Sequence, residues 1–472
     1  MGDEVDDRHW DLSVPRAVHV VGVGGAGMSA IASVLASMGH TVSGSDLSSS
    51  RAVQRLRAQG IRVEIGHHRD HLGAAEIVAV STAIRPDNPE VEAAVAAGVP
   101  VLRRSEVMAA LTAVKPTVSV AGTHGKTTTS SMLAVILIDA GLDPSFIIGG
   151  DVHQIGSGAV WSDGDWFVVE ADESDGTFLA LDTEVAVVTN VEPDHLAHYG
   201  SEDDLVDAFG TFLSEAGSDI VAFADDPLLA DLLARRAPSA AVVTYGEGPT
   251  ADVRMVDLVA GRDATRFTVE EHGRVLGAVD LPVPGRHNAL NALGALVTAR
   301  RLGAGFDQAA DALSRFGGVA RRFERRGEVD GVTMIDDYAH LPSEIEAALA
   351  AARDGDWGRI VCVFQPHRYS RIGALWRDYG PAFAAADLVA VTGIYSAGED
   401  PVPGVSAQLI VDAIEADDPD RPVVLHPERA GLVAWLVDHL RPGDLFLTLG
   451  AGDLTTLPDV VIEALGAQGT PQ

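Results

Sequence analysis

The chain has 472 residues, and at about 100 to 200 residues per domain that length predicts roughly three domains, each able to bury its own core. Apolar residues make up 47% and charged residues 22%, globular usage that excludes a disordered or fibrous chain, while few aromatics against abundant Ala, Val, Leu and Gly favour alternating helices and buried parallel strands. The 68 acids against 34 bases leave a formal charge of -34, which repels phosphate backbones and anionic headgroups and argues against nucleic-acid partners and stable membrane association.

Lysine occurs only at Lys115 and Lys126, so chemistry that needs an ammonium has two candidates. The single cysteine, Cys362, lies in an apolar run and reads as a small buried strand residue that can form neither an internal disulfide nor a thiolate zinc cage. The N-terminus is acidic where a secretion signal is basic, so a cytoplasmic protein is expected. The uncharged stretch 17–39 contains Gly22, Gly24, Gly25 and Gly27 and reads as strand, turn and helix rather than a membrane span.

In chain order, residues 1–14 read as a loose acidic tail. A first domain, 15–114, alternates a strand ending near Gly22, a helix over 26–38, a strand over 41–45, a helix over 51–59 and a strand over 77–80, a Rossmann-like pattern. A second, 115–322, restarts with a strand over 117–121 and a helix over 127–140. It continues through strands near 166–169, 185–189 and 220–223 and a polar stretch, and closes with a helix over 289–302. A third, 323–472, has strands over 332–335, 360–364, 388–392 and 445–449. The fold class is α/β, with Rossmann-like domains at each end and a central phosphate-loop domain built on a parallel sheet.

Gly22-Val23-Gly24-Gly25-Ala26-Gly27 is a G-x-G-x-x-G between strand and helix, and Asp46 ends the next strand. Its glycines allow a tight turn and bring helix N–H groups to a diphosphate, the acid meeting a ribose hydroxyl; the alternative is a turn that merely packs helix on strand. Gly122-Thr123-His124-Gly125-Lys126-Thr127-Thr128 follows the second domain's first strand. Its glycines face backbone N–H groups to phosphate oxygens, Lys126 supplies a point charge, and Thr127 offers a hydroxyl to Mg²⁺. Val120 stands where the longer phosphate-loop pattern has its first Gly, so the loop is a shortened variant. Glu170, opening Glu170-Ala171-Asp172-Glu173-Ser174-Asp175, suits a Mg²⁺ ligand, although such a run also passes for a solvated turn; His195, in Asn190-Val191-Glu192-Pro193-Asp194-His195, reads equally as a solvated loop residue. In Arg286-His287-Asn288-Ala289-Leu290-Asn291 the two asparagines share a helix face fit to read adenine, or Asn288 is an N-cap. Asp336-Asp337-Tyr338-Ala339-His340 follows a third-domain strand, a polar cluster of the kind that marks ligand sites, with Asp336 and Asp337 reading equally as turn formers, and Arg368 and Arg371, three apart, offer planar forks to a carboxylate or phosphate.

In this order and over nearly the whole chain, these motifs resemble the Mur ligase family of peptidoglycan synthesis. The stretch 19–29 with Met28-Ser29, the phosphate loop, Glu170–Asp175, Asn190–His195 and Arg286-His287-Asn288 carry the likeness. The resemblance implies an ATP-dependent amide ligase that adds L-alanine to the lactyl carboxylate of UDP-N-acetylmuramate through an acyl phosphate, working as a monomer or weak homodimer with ATP and Mg²⁺. It implies that Gly22, Gly24, Gly25, Ala26, Gly27, Met28, Ser29, Asp46, Ser81 and Thr82 bind the UDP substrate. Gly122 to Thr128, His287, Asn288 and Asn291 would bind ATP, with Lys126 on its phosphates. Thr127, Glu170 and His195 would surround Mg²⁺, and Tyr338, His340, Arg368 and Arg371 would take the amino acid or acyl phosphate, the third domain closing over the others. Where the family commonly has Asp-Tyr-Gly-His-His-Pro, this chain has Asp337-Tyr338-Ala339-His340-Leu341-Pro342, one histidine fewer. No lysine follows Lys126, so the carbamylated lysine of several sister ligases has no counterpart. The rival readings are a ligase that attaches a whole recycled tripeptide to the same sugar, a nicotinamide-dependent dehydrogenase built on Gly22–Gly27, and a non-catalytic nucleotide-binding protein.

Overall fold

The computed structural model describes residues 10–81, 83–194, 196–236 and 238–468. The chain divides into two compact units. The larger runs to Val256 and adds Thr268–Ala278 and Leu290–Leu313; the smaller holds Asp257–Phe267, Val279–Ala289 and the chain from Ser314 onward. Among the described residues no helix is long and apolar enough to cross a membrane.

In the larger unit β1 (Ala17–Val21), β2 (Thr41–Asp46), β3 (Arg62–Ile65), β4 (Ile77–Val80) and β5 (Val101–Arg103) form a parallel sheet in the order β3-β2-β1-β4-β5. Its helices are α1 (Ala26–Ser37), α2 (Arg51–Ala58), α3 (Pro89–Ala97) and α4 (Arg104–Thr112). The central strand β1 buries Val18, Val20 and Val21, the continuous apolar run of a strand covered on both faces. Sequence reading passed over β3, β5, α3 and α4. The two strands lie at the sheet edges, β3 carrying Arg62 and Glu64 and β5 only three residues long, and charged or very short strands are how edges avoid further pairing.

The second sheet, of ten strands, consists of β6 (Thr117–Ala121), β7 (Ser145–Val152), β8 (Ser157–Val160), β9 (Phe167–Glu170), β10 (Val185–Val188), β11 (Asp219–Phe223), β12 (Ala241–Gly246), β13 (Val253–Ala260), β14 (Thr265–Glu271) and β15 (Arg274–Leu281), in the order β15-β14-β13-β12-β11-β10-β6-β9-β7-β8. Its centre, β9-β6-β10, is parallel. The stretch read as merely polar is therefore largely strand. Helix α5 (Lys126–Asp139) is buried from Thr127 to Leu137, so small Thr and Ser residues and aliphatic ones cover it all round.

In the smaller unit β16 (Glu324–Val329), β17 (Val332–Asp337), β18 (Arg359–Phe364), β19 (Leu388–Val391), β20 (Val423–Leu425) and β21 (Asp444–Leu449) form a sheet ordered β16-β17-β21-β18-β19-β20. Only β16 runs antiparallel to its neighbour. Apolar clusters containing Ile345, Leu349 and Phe383, and Leu432, Leu436 and Val461, cover it. Cys362 is buried within β18, as its sequence context predicts.

A carboxylate holds the first sheet's loops together. Glu90, fully buried in the first turn of α3, accepts hydrogen bonds from Ser45 Oγ at 2.5 Å and the His68 N–H at 3.3 Å, with His71 Nδ1 at 2.7 Å and His67 Nδ1 at 3.1 Å. Burial alone would raise its pKa, but the partners His19, Ser45, His71 and His68 together hold it down at about 2. A depressed carboxyl stabilises the fold above the unfolded-state value of 4.5 and loses that contribution as pH falls through about 2. Glu90→Gln, compared with the parent in urea unfolding across this window, should flatten the acid-induced loss by about 3 kcal/mol.

Candidate active site

Strands β9, β6 and β10 end side by side, Val120 pairing with Glu170 and Ala121 with Val188. The segments that leave their C-terminal ends therefore share one edge, where open parallel sheets bind ligands. They are the 122–125 turn, the acidic run from Glu170 and the Thr189–Asp194 loop.

The turn is fixed from the neighbouring loop. Thr189 Oγ1 donates to the His124 carbonyl at 2.5 Å, Asn190 Oδ1 accepts the His124 N–H at 2.9 Å, and Thr123 Oγ1 accepts from the Glu192 N–H at 2.9 Å. His124 Nε2 lies 3.1 Å from Glu192 Oε2. Gly122 (φ +131°) and Gly125 (φ +82°) occupy backbone regions that favour glycine. A Cβ at Gly122 would collide with the Thr189 hydroxyl, and one at Gly125 with the Asn291 amide. Thr127 and Thr128 are buried in the first turn of α5.

Lys126 opens α5 rather than ending the loop. Its ammonium donates to the Gly122 carbonyl at 2.5 Å and the Thr123 carbonyl at 3.2 Å, and pairs with the Glu173 carboxylate at 2.8–2.9 Å. Burial disfavours the charge, but Glu173, Asp172 and Glu170 more than offset it, so the pKa of Lys126 lies above the ordinary lysine value and the ammonium stays protonated. Glu173 is itself buried and its carbonyl accepts from Tyr199 Oη at 2.5 Å. Glu173 has no separate role in the reading of the motifs; its only signal was its place in the acidic run. Lys115, the other lysine, donates to Ser145 Oγ and the Ser162 and Gly164 carbonyls and lies over the Trp161 ring.

The glycine turn after β1 borders a cleft of about 700 Å³ lined by Gly24, Ala26, Gly27 and Ser29 on one side and by Gly149, Gly158, Glu170 and Asp172 on another. Asp46, expected at a ribose, clasps the turn, Oδ2 accepting the Gly24 N–H at 2.9 Å. Met28 turns its side chain into the core, so only its backbone is left for a ligand. Ser29 Oγ donates to the Ala26 carbonyl. Gly25 has no side chain to cap α1. Ser81 stands beside Gly22, where a Cβ would lie 3.2 Å from its Oγ. Glu170 Oε1 accepts the Gly149 N–H at 2.6 Å. Thr82 and His195 lie outside the described residues.

The helix Arg286–Arg301 begins in the smaller unit, where Asn288 Nδ2 donates to the Pro284 carbonyl at 2.8 Å. As the third helical residue Asn288 is not the N-cap. Further along, in the larger unit, Asn291 faces Gly125. Burial and the nearby Arg322 guanidinium push the His287 pKa down to about 4, leaving a neutral imidazole. In the same unit burial pushes Asp337 up to about 6, against the opposing effects of Arg322 and the Ala339 and Phe323 N–H groups.

Tyr338 carries the Arg321 and Arg322 guanidinium groups at 4.8 and 4.9 Å from its ring and meets His340 edge-on. The paired arginine fork expected of Arg368 and Arg371 is not formed. Arg368 is exposed on a left-handed backbone (φ +67°), while Arg371 is buried with Nη1 3.0 Å from His367 Nδ1. Arg368 lies outside the helix that begins at Tyr369, on non-helical backbone, so the three-residue spacing does not put the two side chains on one helix face. His367, assigned no role from sequence, packs against His340 and stacks on Tyr395.

Comparison with known proteins matches three family models in series, described as "Mur ligase family, catalytic domain" over residues 17–116, "Mur ligase middle domain" over 120–299 and "Mur ligase, glutamate ligase domain" over 321–452. The chain is 45% identical over 456 residues to the UDP-N-acetylmuramate--L-alanine ligase of Bradyrhizobium sp. (strain ORS 278), covering 94% of this chain and 97% of that one. It is 45% identical to the enzyme of the same name from Pelotomaculum thermopropionicum, with 93% and 95% covered. Among solved structures it is similar to UDP-N-acetylmuramate-alanine ligase MurC from Thermotoga maritima, with a TM-score of 0.81, 29% identity and coverage of 96% and 100%.

The Gly122 collision can be separated from simple backbone strain. Gly122→Ala should lower the unfolding free energy by about 2–4 kcal/mol. Gly141→Ala, at φ +75° with open space around its Cβ, should cost about 1–2 kcal/mol; urea unfolding of the two variants measures the difference.

Proposed function

The chain belongs to the Mur ligase family, and we propose that it joins the amine of L-alanine to the lactyl carboxylate of UDP-N-acetylmuramate at the expense of ATP, in peptidoglycan precursor synthesis. The observation that carries the reading is the sharing of one sheet edge: of the acids that follow β9, Glu170 and Asp172 line a cleft whose opposite wall is a glycine turn, and Glu173 holds the phosphate-loop ammonium of Lys126. High identity over nearly the full length of the alanine-adding relatives supports L-alanine as the amino acid.

In this reading the 122–127 N–H groups and Lys126 hold the ATP phosphates, Lys126 exchanging its loop carbonyls for phosphate oxygens. The lactyl carboxylate attacks the terminal phosphorus in line, giving an acyl phosphate and ADP. The neutral amine of L-alanine then adds to the acyl carbon, and inorganic phosphate leaves as the amide forms. Tyr338, His340 and Arg371 are the side chains we assign to the amino acid, and Asn291 and Asn288 to the adenine.

The donor set at the loop suits Mg²⁺: a Thr127 hydroxyl and the Glu170 carboxylate, hard oxygens at the ends of adjoining elements. His195 joins them by family likeness alone. When bound, the ion would offset charge on the transferring phosphoryl group. Asp172 and Glu173 keep Lys126 charged and directed across the turn.

Incubation with UDP-N-acetylmuramate, MgATP and L-alanine, glycine or L-serine, read by product mass, should give the alanyl amide and ADP; product formed only with the tripeptide would contradict the assignment. Lys126→Ala should cut amide formation at least about 10³-fold. Because Glu173 would then be buried without its partner, the Lys126→Ala/Glu173→Gln double variant should recover stability while remaining inactive. Glu170→Gln should raise the Mg²⁺ concentration for half-maximal rate by about tenfold or more.

A further inference from the structure

An acidic chain that takes up a nucleotide diphosphate must neutralise it somewhere, and the cleft offers few cations. Its lining includes Glu170, Asp172 and Asp151 and, for positive charge, Arg55 and Arg104. Arg55 is 60% exposed and tied to Asp151 at 2.7 Å. Arg104 is different. It is the first residue of α4, its side chain is 30% exposed, and its acid contacts are long: Nη2 donates to Asp172 Oδ2 at 3.4 Å and Nη1 lies 4.0 Å from Asp175 Oδ2. Its guanidinium lies against the glycine turn, where a Cβ at Gly27 would stand 3.4 Å from Nε and 3.5 Å from Cζ.

We propose that Arg104 is a substrate-binding residue that receives the diphosphate of the nucleotide sugar at the first turn of α1. The inference rests on the function proposed above and adds a residue to it. The α1 N-terminus carries partial positive charge and no side-chain cap. A planar guanidinium beside it presents two parallel N–H donors to phosphate oxygens, the geometry in which arginine exceeds lysine. Asp172 takes one long hydrogen bond from Nη2 and Asp175 stands 4.0 Å from Nη1, which aims the side chain at the turn and leaves Nε and the remaining N–H groups for a phosphate. The absence of a side chain at Gly27 then has a second purpose besides the turn, since it leaves space for Arg104 next to the phosphates.

Calorimetric binding of UDP, which has the diphosphate but neither sugar nor carboxylate, tests the assignment in the full-length protein. Arg104→Gln should weaken UDP binding by about 10- to 100-fold and raise the KM for UDP-N-acetylmuramate by a similar factor. The KM for MgATP should stay within about twofold of the parent, and Arg104→Lys should recover part of the UDP affinity. Undiminished UDP affinity in folded Arg104→Gln overturns the proposal. If only the KM for the full substrate rises, the residue holds the carboxylate; if nothing changes, it ties α4 to the acidic run and no more. Should Arg104→Gln fail to fold, Arg104→Lys carries the test, and parental UDP affinity in it is the overturning result. Failure of the parent protein itself to form the alanyl amide strikes the proposed function instead.

Discussion

Lys126 keeps its proton because the site is built around it. Burial alone would drive an ammonium towards neutrality, and the carboxylates of Glu173, Asp172 and Glu170 reverse that tendency. Those acids are delivered by β9, which ends beside β6 because the two strands pair in parallel register up to Val120 and Glu170. A buried pair of this kind adds little net stability, since the desolvation of both ions consumes most of their attraction. In the function proposed above its value lies in readiness: a charged, directed donor resting on its own loop carbonyls would exchange them for phosphate oxygens.

The other lysine makes the same point by contrast. Lys115 is engaged by three oxygen acceptors and an indole ring, so its charge is committed to the start of the second sheet. Two glycine turns complete the division of labour. The one after β1 is clasped by Asp46 and faces the cleft, and the one after β6 is fastened by Thr189 and Asn190, with Asn291 against Gly125. In the proposed function each would bring backbone N–H groups to an anion that a chain of charge -34 otherwise repels.

The central strands and both glycine turns were legible in the sequence because buried parallel strands leave uninterrupted Val-rich runs and because glycine at such turns answers to backbone geometry. Edge strands β3 and β5 were not, their charged or very short sequences lacking any period. Local spacing does not show what long-range contacts decide. Asp46 sits at the right distance for a ribose, and its carboxylate also holds the turn. Arg368 and Arg371 sat at the right distance for a fork, yet one is exposed and the other buried on His367. Glu90 and Arg104 stand apart from any motif spacing, and Glu173 had only its place in the acidic run; what these residues do depends on partners distant in the chain, such as Ser45 for Glu90 and Lys126 for Glu173.

With lysine at two positions only, selective ¹³C labelling of that residue gives a spectrum with two side-chain signals, one enclosed by Trp161 and one at the phosphate loop. Titration with a non-hydrolysable ATP analogue and Mg²⁺ should shift the Lys126 signal and leave Lys115 in place. An unmoved Lys126 signal at saturating nucleotide would contradict the account.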